Sequence, residues 1–151
     1  VGAAFMIKTD IFRQMGFFDE YYFFCPEDIA LSTALNRRGY FCYVNASVEL
    51  IHYEGASSGE RISRIKAATM PAGEKGTIRF LAGSSVMAYI SLTCFSCTMA
   101  LLRSLKYRMQ SKTPGDNASI MSTANRNVVS ALLTKKTPKE IFVKYYGRIK
   151  R

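Results

Sequence analysis

The chain has 151 residues, 48% apolar and 21% charged, which is typical of one globular domain and excludes a disordered or disulfide-scaffolded chain. Its net charge of +10 is unevenly placed, because residues 1–60 carry 4 Lys and Arg against 8 Asp and Glu, whereas residues 61–151 carry 17 against 3. The basic half therefore favours a partner with phosphate groups, either a nucleic acid or a membrane surface.

The first segments of the chain predict a strand and a short helix. Gly2–Ile7 reads as a buried strand, and the absence of an initiator Met before it indicates the interior of a longer protein. Thr9 can N-cap a helix over Asp10–Met15, and Gly16 is a suitable residue to end it.

A second helix and two more strands are predicted next. Pro26–Arg38 places apolar residues at helical spacing, and Gly39 follows as a stop signal. Tyr40–Val44 and Val48–Tyr53 have the apolar content and alternation of strands. Short strands that alternate with short helices predict an α/β layer architecture, a mixed sheet with flanking helices.

The basic half has a different character. Residues 61–77 are basic and are interrupted by one proline and two glycines, which predicts a loop or linker. Residues 78–151 are predicted to form an apolar and basic helical tail. Near its start, the tail contains a run of 23 uncharged residues, Phe80–Leu102. The chain is thus predicted to consist of an acidic α/β part over residues 1–60, a basic linker over residues 61–77 and a helical tail over residues 78–151.

The uncharged run is long enough to span a bilayer, since 23 helical residues reach about 34 Å. Its four Ser, two Thr and one Gly are spread around the helix, and basic residues flank both ends, which gives no orientation. We therefore favour a helix that packs on the rest of the protein or lies at a membrane surface over a crossing helix. A solvated basic tail without a partner is the remaining interpretation.

Two carboxylates, Glu27 and Asp28, open the second helix and have two interpretations. Acids in a first helical turn are stabilised by about 0.3–1 kcal/mol through the helix dipole, whatever the function. Alternatively they form a catalytic pair at the floor of a pocket, because a positioned carboxylate can take a proton from a reacting hydroxyl.

A wider pattern surrounds these carboxylates. In chain order it consists of a Gly-Ala pair and strand before "IKTDIFRQMGFFDE", aromatic residues before Glu-Asp, a helix that ends in Arg-Gly-Tyr, and a strand that ends in His before Gly and Ser. This pattern, over residues 2–58, resembles the C-terminal part of family 2 inverting glycosyltransferase domains, especially the rhamnosyltransferase-like branch. The resemblance implies a GT-A nucleotide-sugar transferase fold for residues 1–60.

The resemblance also implies a reaction and its residues. A sugar would pass from a nucleotide-sugar donor to a glycan or polyprenyl-linked acceptor by inverting displacement, in the synthesis of cell-surface polysaccharide. Asp28 would be the general base on the acceptor hydroxyl, and Glu27 would orient the acceptor or the base. Substrate-binding roles would fall on Asp19, Glu20, Gly2 and Ala3, although a solvated turn explains Asp19 and Glu20 equally well.

A divalent metal, Mg or Mn, is a further implication of the resemblance. Its ligands would lie mostly before this segment, since the chain has no Asp-x-Asp motif, so the segment alone is expected to be inactive. His52 matches a histidine that lies near the metal and diphosphate in many relatives. A packed, hydrogen-bonded histidine on a strand is the other interpretation.

The expected location is the cytoplasmic side of the inner or plasma membrane, with peripheral or single-span attachment. Nucleic acid is not expected as a partner, because the aromatic residues concentrate in the acidic half instead of among the basic residues. The alternative function is a non-catalytic phosphate- or membrane-binding module that uses the basic half.

Overall fold

The computed structural model describes residues 4–51 and 62–149, and the regular structure in these ranges is helical. Six α-helices follow in chain order: α1 Thr9–Gln14, α2 Glu27–Arg37, α3 Ile62–Ala82, α4 Val86–Gln110, α5 Asn117–Leu132 and α6 Pro138–Ile149. Extended pairing in the described ranges is confined to an isolated bridge between Phe23 and Cys25.

The predicted α/β fold, and with it the GT-A mixed sheet, is wrong, since residues 4–51 and 62–149 form no strand or sheet. Where the structure describes them, the segments expected to be strands have the side chains of strands but no neighbouring strand to hydrogen-bond with. Phe41, Tyr43 and Val44, for example, are 78%, 87% and 95% exposed. An alternating pattern shows which side chains favour burial, but a sheet needs partner strands as well.

Both predicted helices of the acidic half are confirmed to within one residue at each end. Lys8, not Thr9, is the N-cap of α1, and it makes no side-chain capping bond. The end of α2 is tied to the end of α1, because Arg38 Nη1 donates to the carbonyl of Gln14 at 2.9 Å. Gly39 follows with φ +84°, a left-handed conformation that favours glycine.

The expected linker over residues 61–77 is also wrong, because residues 62–77 lie within α3. Proline normally breaks a helix, since it cannot donate to the carbonyl four residues earlier. For Pro71 that carbonyl belongs to Ala67, and Asn127 Nδ2 of α5 donates to it at 2.8 Å. Tertiary contact therefore compensates for a residue that disfavours the helix.

The uncharged run is not one helix. Its first residues end α3, and Gly83 turns the chain with φ +55°. Ser85 then N-caps α4, its Oγ accepting from the amide of Ala88 at 3.2 Å. From there α4 continues past the uncharged run as far as Gln110.

Helices α3 to α6 pack on one another and form the helical bundle, in which α3 contacts the other three and α5 also contacts α4. Small side chains are prominent in its core, which lets the helices approach closely. The core residues form two clusters, Ala68, Ala72, Ala131, Ile141 and Tyr145 in one, and Ile78, Ala100, Val128 and Leu132 in the other.

Three polar side chains inside the bundle, Ser104, Ser122 and Lys75, are paired across helices. Ser104 Oγ donates to the carbonyl of Ser122 at 3.1 Å, and Ser122 Oγ donates back to the carbonyl of Ser104 at 3.0 Å. Lys75 is buried, and its ammonium donates to the carbonyls of Ala131 and Thr134 at the end of α5. Burial lowers the pKa of Lys75, while its position supplies the cation that the last turn of α5 lacks.

Candidate functional site

Glu27 and Asp28 form the first turn of α2 and are half-buried. The Glu27 carboxylate turns back along the chain, where its Oε2 accepts from the amide of Cys25 at 2.6 Å. Asp28 Oδ1 accepts from the amide of Ile29 at 2.8 Å, whereas its Oδ2 receives no hydrogen bond from the described residues. One oxygen of Asp28 therefore remains available to an incoming group.

The three residues before the acidic pair form a tight turn, the pre-helix turn (residues 24–26). Its Cys25 has φ +72°, and the peptide bond between Cys25 and Pro26 is cis. Pro26 is buried at the N-cap position of α2. This turn leads directly into α2 and therefore into the acidic pair.

The pre-helix turn lies against two glycines of α3, Gly73 and Gly76, which we call the glycine groove. A Cβ at Gly73 would stand 2.9 Å from the carbonyl oxygen of Phe24. A Cβ at Gly76 would stand 2.5 Å from the carbonyl oxygen of Cys25. Only glycine allows this approach, because heavier residues would push the turn away.

Aromatic rings hold the same segment on two helices of the bundle. Phe23 and Phe24 both contact Phe142 of α6, with ring centroids 5.3 Å and 6.1 Å apart. Tyr22 meets Phe80, at the end of α3, edge to face at 6.2 Å. The aromatic run before the acidic pair is thus fixed to the basic half of the chain.

A cavity of about 540 Å³ lies between the loop after α1, the residues of α2 beyond its first turn, and the end of α3. Its charged lining residues are Asp19, Arg37 and Arg79. Arg79 Nη1 donates to the carbonyl of Gly83 at 3.0 Å. Guanidinium groups suit the oxygens of phosphates and carboxylates, so the cavity can receive an anionic group.

The residues expected at the site are only partly brought together. Asp19 lines the cavity and accepts from the amide of Tyr21 at 2.9 Å, whereas Glu20 is exposed in the same turn. The acidic pair begins the helix that borders the cavity but does not line it. The other expected site residues lie outside the described residues: Gly2, Ala3 and His52.

The described residues do not fit a metal centre. Within residues 4–51 and 62–149, no group of three or more His, Cys, Asp and Glu side chains could hold a metal ion. The predicted divalent metal thus stays a prediction. The reactive groups at the start of α2 are the two carboxylates of the acidic pair.

The glycine groove was not expected from the sequence, since both glycines fall in the predicted linker. A signal was present, since two glycines three residues apart lie on one face of a helix. Glycine disfavours a helix interior by about 1 kcal/mol relative to Ala, so two of them on one face indicate the close approach of another backbone.

The similarity to known proteins concerns glycosyltransferases. The chain is 33% identical over 81 residues to N-acetylglucosaminyl-diphospho-decaprenol L-rhamnosyltransferase of Mycobacterium tuberculosis, in strain CDC 1551 / Oshkosh and in strain ATCC 25618 / H37Rv. The match covers 54% of this chain and 25% of each relative, so the chain spans about a quarter of their length. No family model and no solved structure matches the chain. A distant relationship to a glycosyltransferase is what the similarity supports.

Proposed function

We propose that the chain is part of an enzyme that transfers a sugar from a nucleotide-sugar donor to a lipid-linked glycan acceptor, with inversion at the anomeric carbon. The observation that carries the proposal is the similarity to the rhamnosyltransferases over 81 residues. The geometry at the start of α2 supports Asp28 as the general base.

The first turn of α2 makes contacts that an acid interacting only with the helix dipole would not need. An acid that serves only the dipole needs no fixed surroundings. Here Glu27 bonds back to Cys25, and the pre-helix turn lies in the glycine groove. These contacts fix the backbone that carries Asp28, which is what a positioned base needs.

The proposed step uses the free carboxylate oxygen of Asp28. The acceptor hydroxyl gives its proton to this oxygen while its own oxygen forms a bond to the anomeric carbon. On the opposite face of the sugar the bond to the nucleotide diphosphate breaks, and the diphosphate leaves with the electron pair. General base catalysis of this kind contributes about 10²–10⁴ in rate.

The proposed acceptor carries a lipid-linked diphosphate, as the acceptor in the name of the two relatives does. Arg37 and Arg79 in the cavity would suit the oxygens of such a diphosphate. A charged nucleotide-sugar does not cross a bilayer unaided, so acceptor and donor must meet on one side. We place that meeting on the cytoplasmic side of the membrane, with a divalent metal bound mainly by other parts of the protein.

The test is Asp28→Asn in the whole protein, assayed by transfer of a labelled sugar to a lipid-linked acceptor. Turnover is expected to fall by a factor of about 10² or more, while the helical content measured by circular dichroism stays unchanged. The matched control is Asp10→Asn, since Asp10 is also a first-turn acid but is exposed and pairs only with Arg13 at 3.6 Å. Equal turnover in the two variants would show that Asp28 is an ordinary helix-start acid.

One observation favours a second function, a non-catalytic module that binds phosphate or membrane. It is the excess of 17 Lys and Arg over 3 Asp and Glu in residues 61–151. The same assay separates the two functions. A module would bind anionic vesicles and transfer no sugar even with Asp28 intact, whereas the enzyme needs Asp28 for turnover and not for binding.

A further inference from the structure

Helix α4 presents two contrasting faces. It is long and apolar enough to cross a membrane by length and composition, yet only 11% of its most apolar window is buried in the structure. The residues it buries in the bundle are small, Ser96, Ala100 and Ser104. Its exposed side, which we call the outer face of α4, carries large apolar residues, among them Met87, Phe95, Leu101, Leu102, Leu105 and Met109. A helix on a water-exposed surface has the opposite arrangement.

The buried side of α4 is already occupied. Ser104 exchanges hydrogen bonds with Ser122 of α5, and Ser96 Oγ donates to the carboxylate of Glu74 on α3. If α4 crossed a bilayer with these contacts intact, it would carry charged groups of α3, such as Glu74 and Arg79, into hydrocarbon, which is costly. In the packed bundle, the side of α4 that remains free to contact lipid is therefore its outer face.

Basic residues border this face. Helix α4 contains no Asp or Glu, and Arg103, Lys106 and Arg108 are all exposed near its end. At 100° per residue, Lys106 and Arg108 fall on either side of the line through Leu105 and Met109. Such residues extend their apolar stems along the lipid and place their charges among anionic headgroups.

We propose that α4 lies in the plane of a membrane interface, with its outer face in the lipid and the rest of the bundle above it in water. The partner is a bilayer that contains anionic phospholipid. This attachment does not depend on sugar transfer and is measured without turnover.

Depth measurements test the orientation of α4. Single spin labels are placed at Met87→Cys, at the native Cys94 and at Leu105→Cys, with the other cysteines changed to Ser, on vesicles of phosphatidylcholine and phosphatidylglycerol. All three positions are exposed and share the outer face. In-plane binding predicts the same shallow depth, roughly 5–10 Å, at all three. A crossing helix would instead separate Met87 and Leu105 by roughly 27 Å along the bilayer normal.

A label at Thr123→Cys, an exposed position on α5, is the control and is expected to stay in water. Graded depths, or labels that all remain in water, would overturn the proposal. Flotation adds a second readout. Leu105→Glu should lower the vesicle-bound fraction at least 10-fold, whereas Leu133→Glu should leave it unchanged, since Leu133 lies outside α4 and is even more exposed, 74% against 58%. Similar losses in the two variants would also overturn the assignment of the outer face.

Discussion

Pro71 and Asn127 show how two residues on different helices solve one problem of hydrogen bonding. Pro71 lies inside α3 and leaves the carbonyl of Ala67 without its helical donor. Asn127 of α5 donates to that oxygen, and Tyr145 of α6 donates to the carbonyl of Asn127 at 3.4 Å. Three helices of the bundle therefore meet at one residue, Asn127, through its side chain and its main-chain carbonyl.

We predict that Asn127→Ala lowers the free energy of unfolding by about 1–3 kcal/mol, because it leaves a buried carbonyl without a donor. In a Pro71→Ala background the helix regains its own amide donor for Ala67, so the same change should cost less. Chemical denaturation followed by circular dichroism measures both costs. Equal costs in the two backgrounds would mean that Asn127 does not replace the missing donor.

At the scale of single residues, the sequence predicted the position of the acidic pair but not its surroundings. Glu27 and Asp28 were expected at a helix start and are found there. A helix start has the same sequence pattern whether it is free or fixed, since both cases favour acids. What distinguishes them is contact with Gly73 and Gly76, about fifty residues further along the chain, and a local pattern contains no information on such contacts.

At the scale of the helices, the start of α5 depends on a single carboxylate, that of Asp116. Asp116 Oδ1 accepts from the amide of Ser119 at 2.6 Å, and Oδ2 accepts from the amides of Lys112 and Thr113 at 2.8 and 3.2 Å. These backbone hydrogen bonds, together with one from the side-chain hydroxyl of Ser111, lower the pKa of Asp116 to about 2. The ionised side chain thus organises the whole connection from α4 to α5.

This gives a prediction for acid stability. Because the pKa of Asp116 is lower in the folded chain, its contribution is fully present above its ordinary pKa of 3.8 and is lost as the pH falls through about 2. Asp116→Asn should therefore make the unfolding free energy less dependent on pH between about 4 and 2. Thermal unfolding of both proteins across this range measures the difference. The prediction fails if the two profiles stay parallel.

The glycine groove gives a prediction in which the bundle stays folded while activity falls. In Gly76→Ala the gain in helix propensity of α3, about 1 kcal/mol, is opposed by a clash with a backbone carbonyl. The new Cβ would stand 2.5 Å from the carbonyl oxygen of Cys25, so the pre-helix turn must move and carry Asp28 with it. We expect the bundle to stay folded while sugar transfer by the whole protein falls at least 10-fold.

Gly147→Ala is the matched control, because this glycine lies in α6 and a Cβ there would meet nothing within 4 Å. It should gain helix stability and keep full activity. Transfer assays and thermal unfolding on both variants make the comparison. Equal activity in the two would show that the glycine groove does not position Asp28.

Helix α4 illustrates what an apolar run can and cannot predict. The run was judged long enough to span a bilayer, and it overlaps α4, which among the described residues is long and apolar enough to do so. Its break at Gly83 was not predicted, because a glycine inside an apolar run is tolerated in many helices. Nor could the run show which of its sides is covered, since that depends on Ser122 and Glu74 of other helices.

For the whole molecule, the sequence predicted its helices far better than its strands. A helix forms its hydrogen bonds within its own segment, so spacing and end signals are enough to place α1 and α2. A strand needs a neighbour, and residues 40–51 find none among the described residues. The basic residues concentrate in the part of the chain that forms the helical bundle, and the acidic pair lies in the segment packed against it.

The contacts of Phe142 have a consequence for the order in which the molecule is assembled. This ring lies in the last described helix, yet it supports Phe23 and Phe24, which come early in the chain. A ribosome therefore releases the acidic pair long before it releases the residue that completes the pair's support. A chain that stops before α6 would still contain both carboxylates, but the aromatic run in front of them would lack its ring partner. Complete synthesis thus becomes a condition for fixing the aromatic run in front of Asp28 on the bundle.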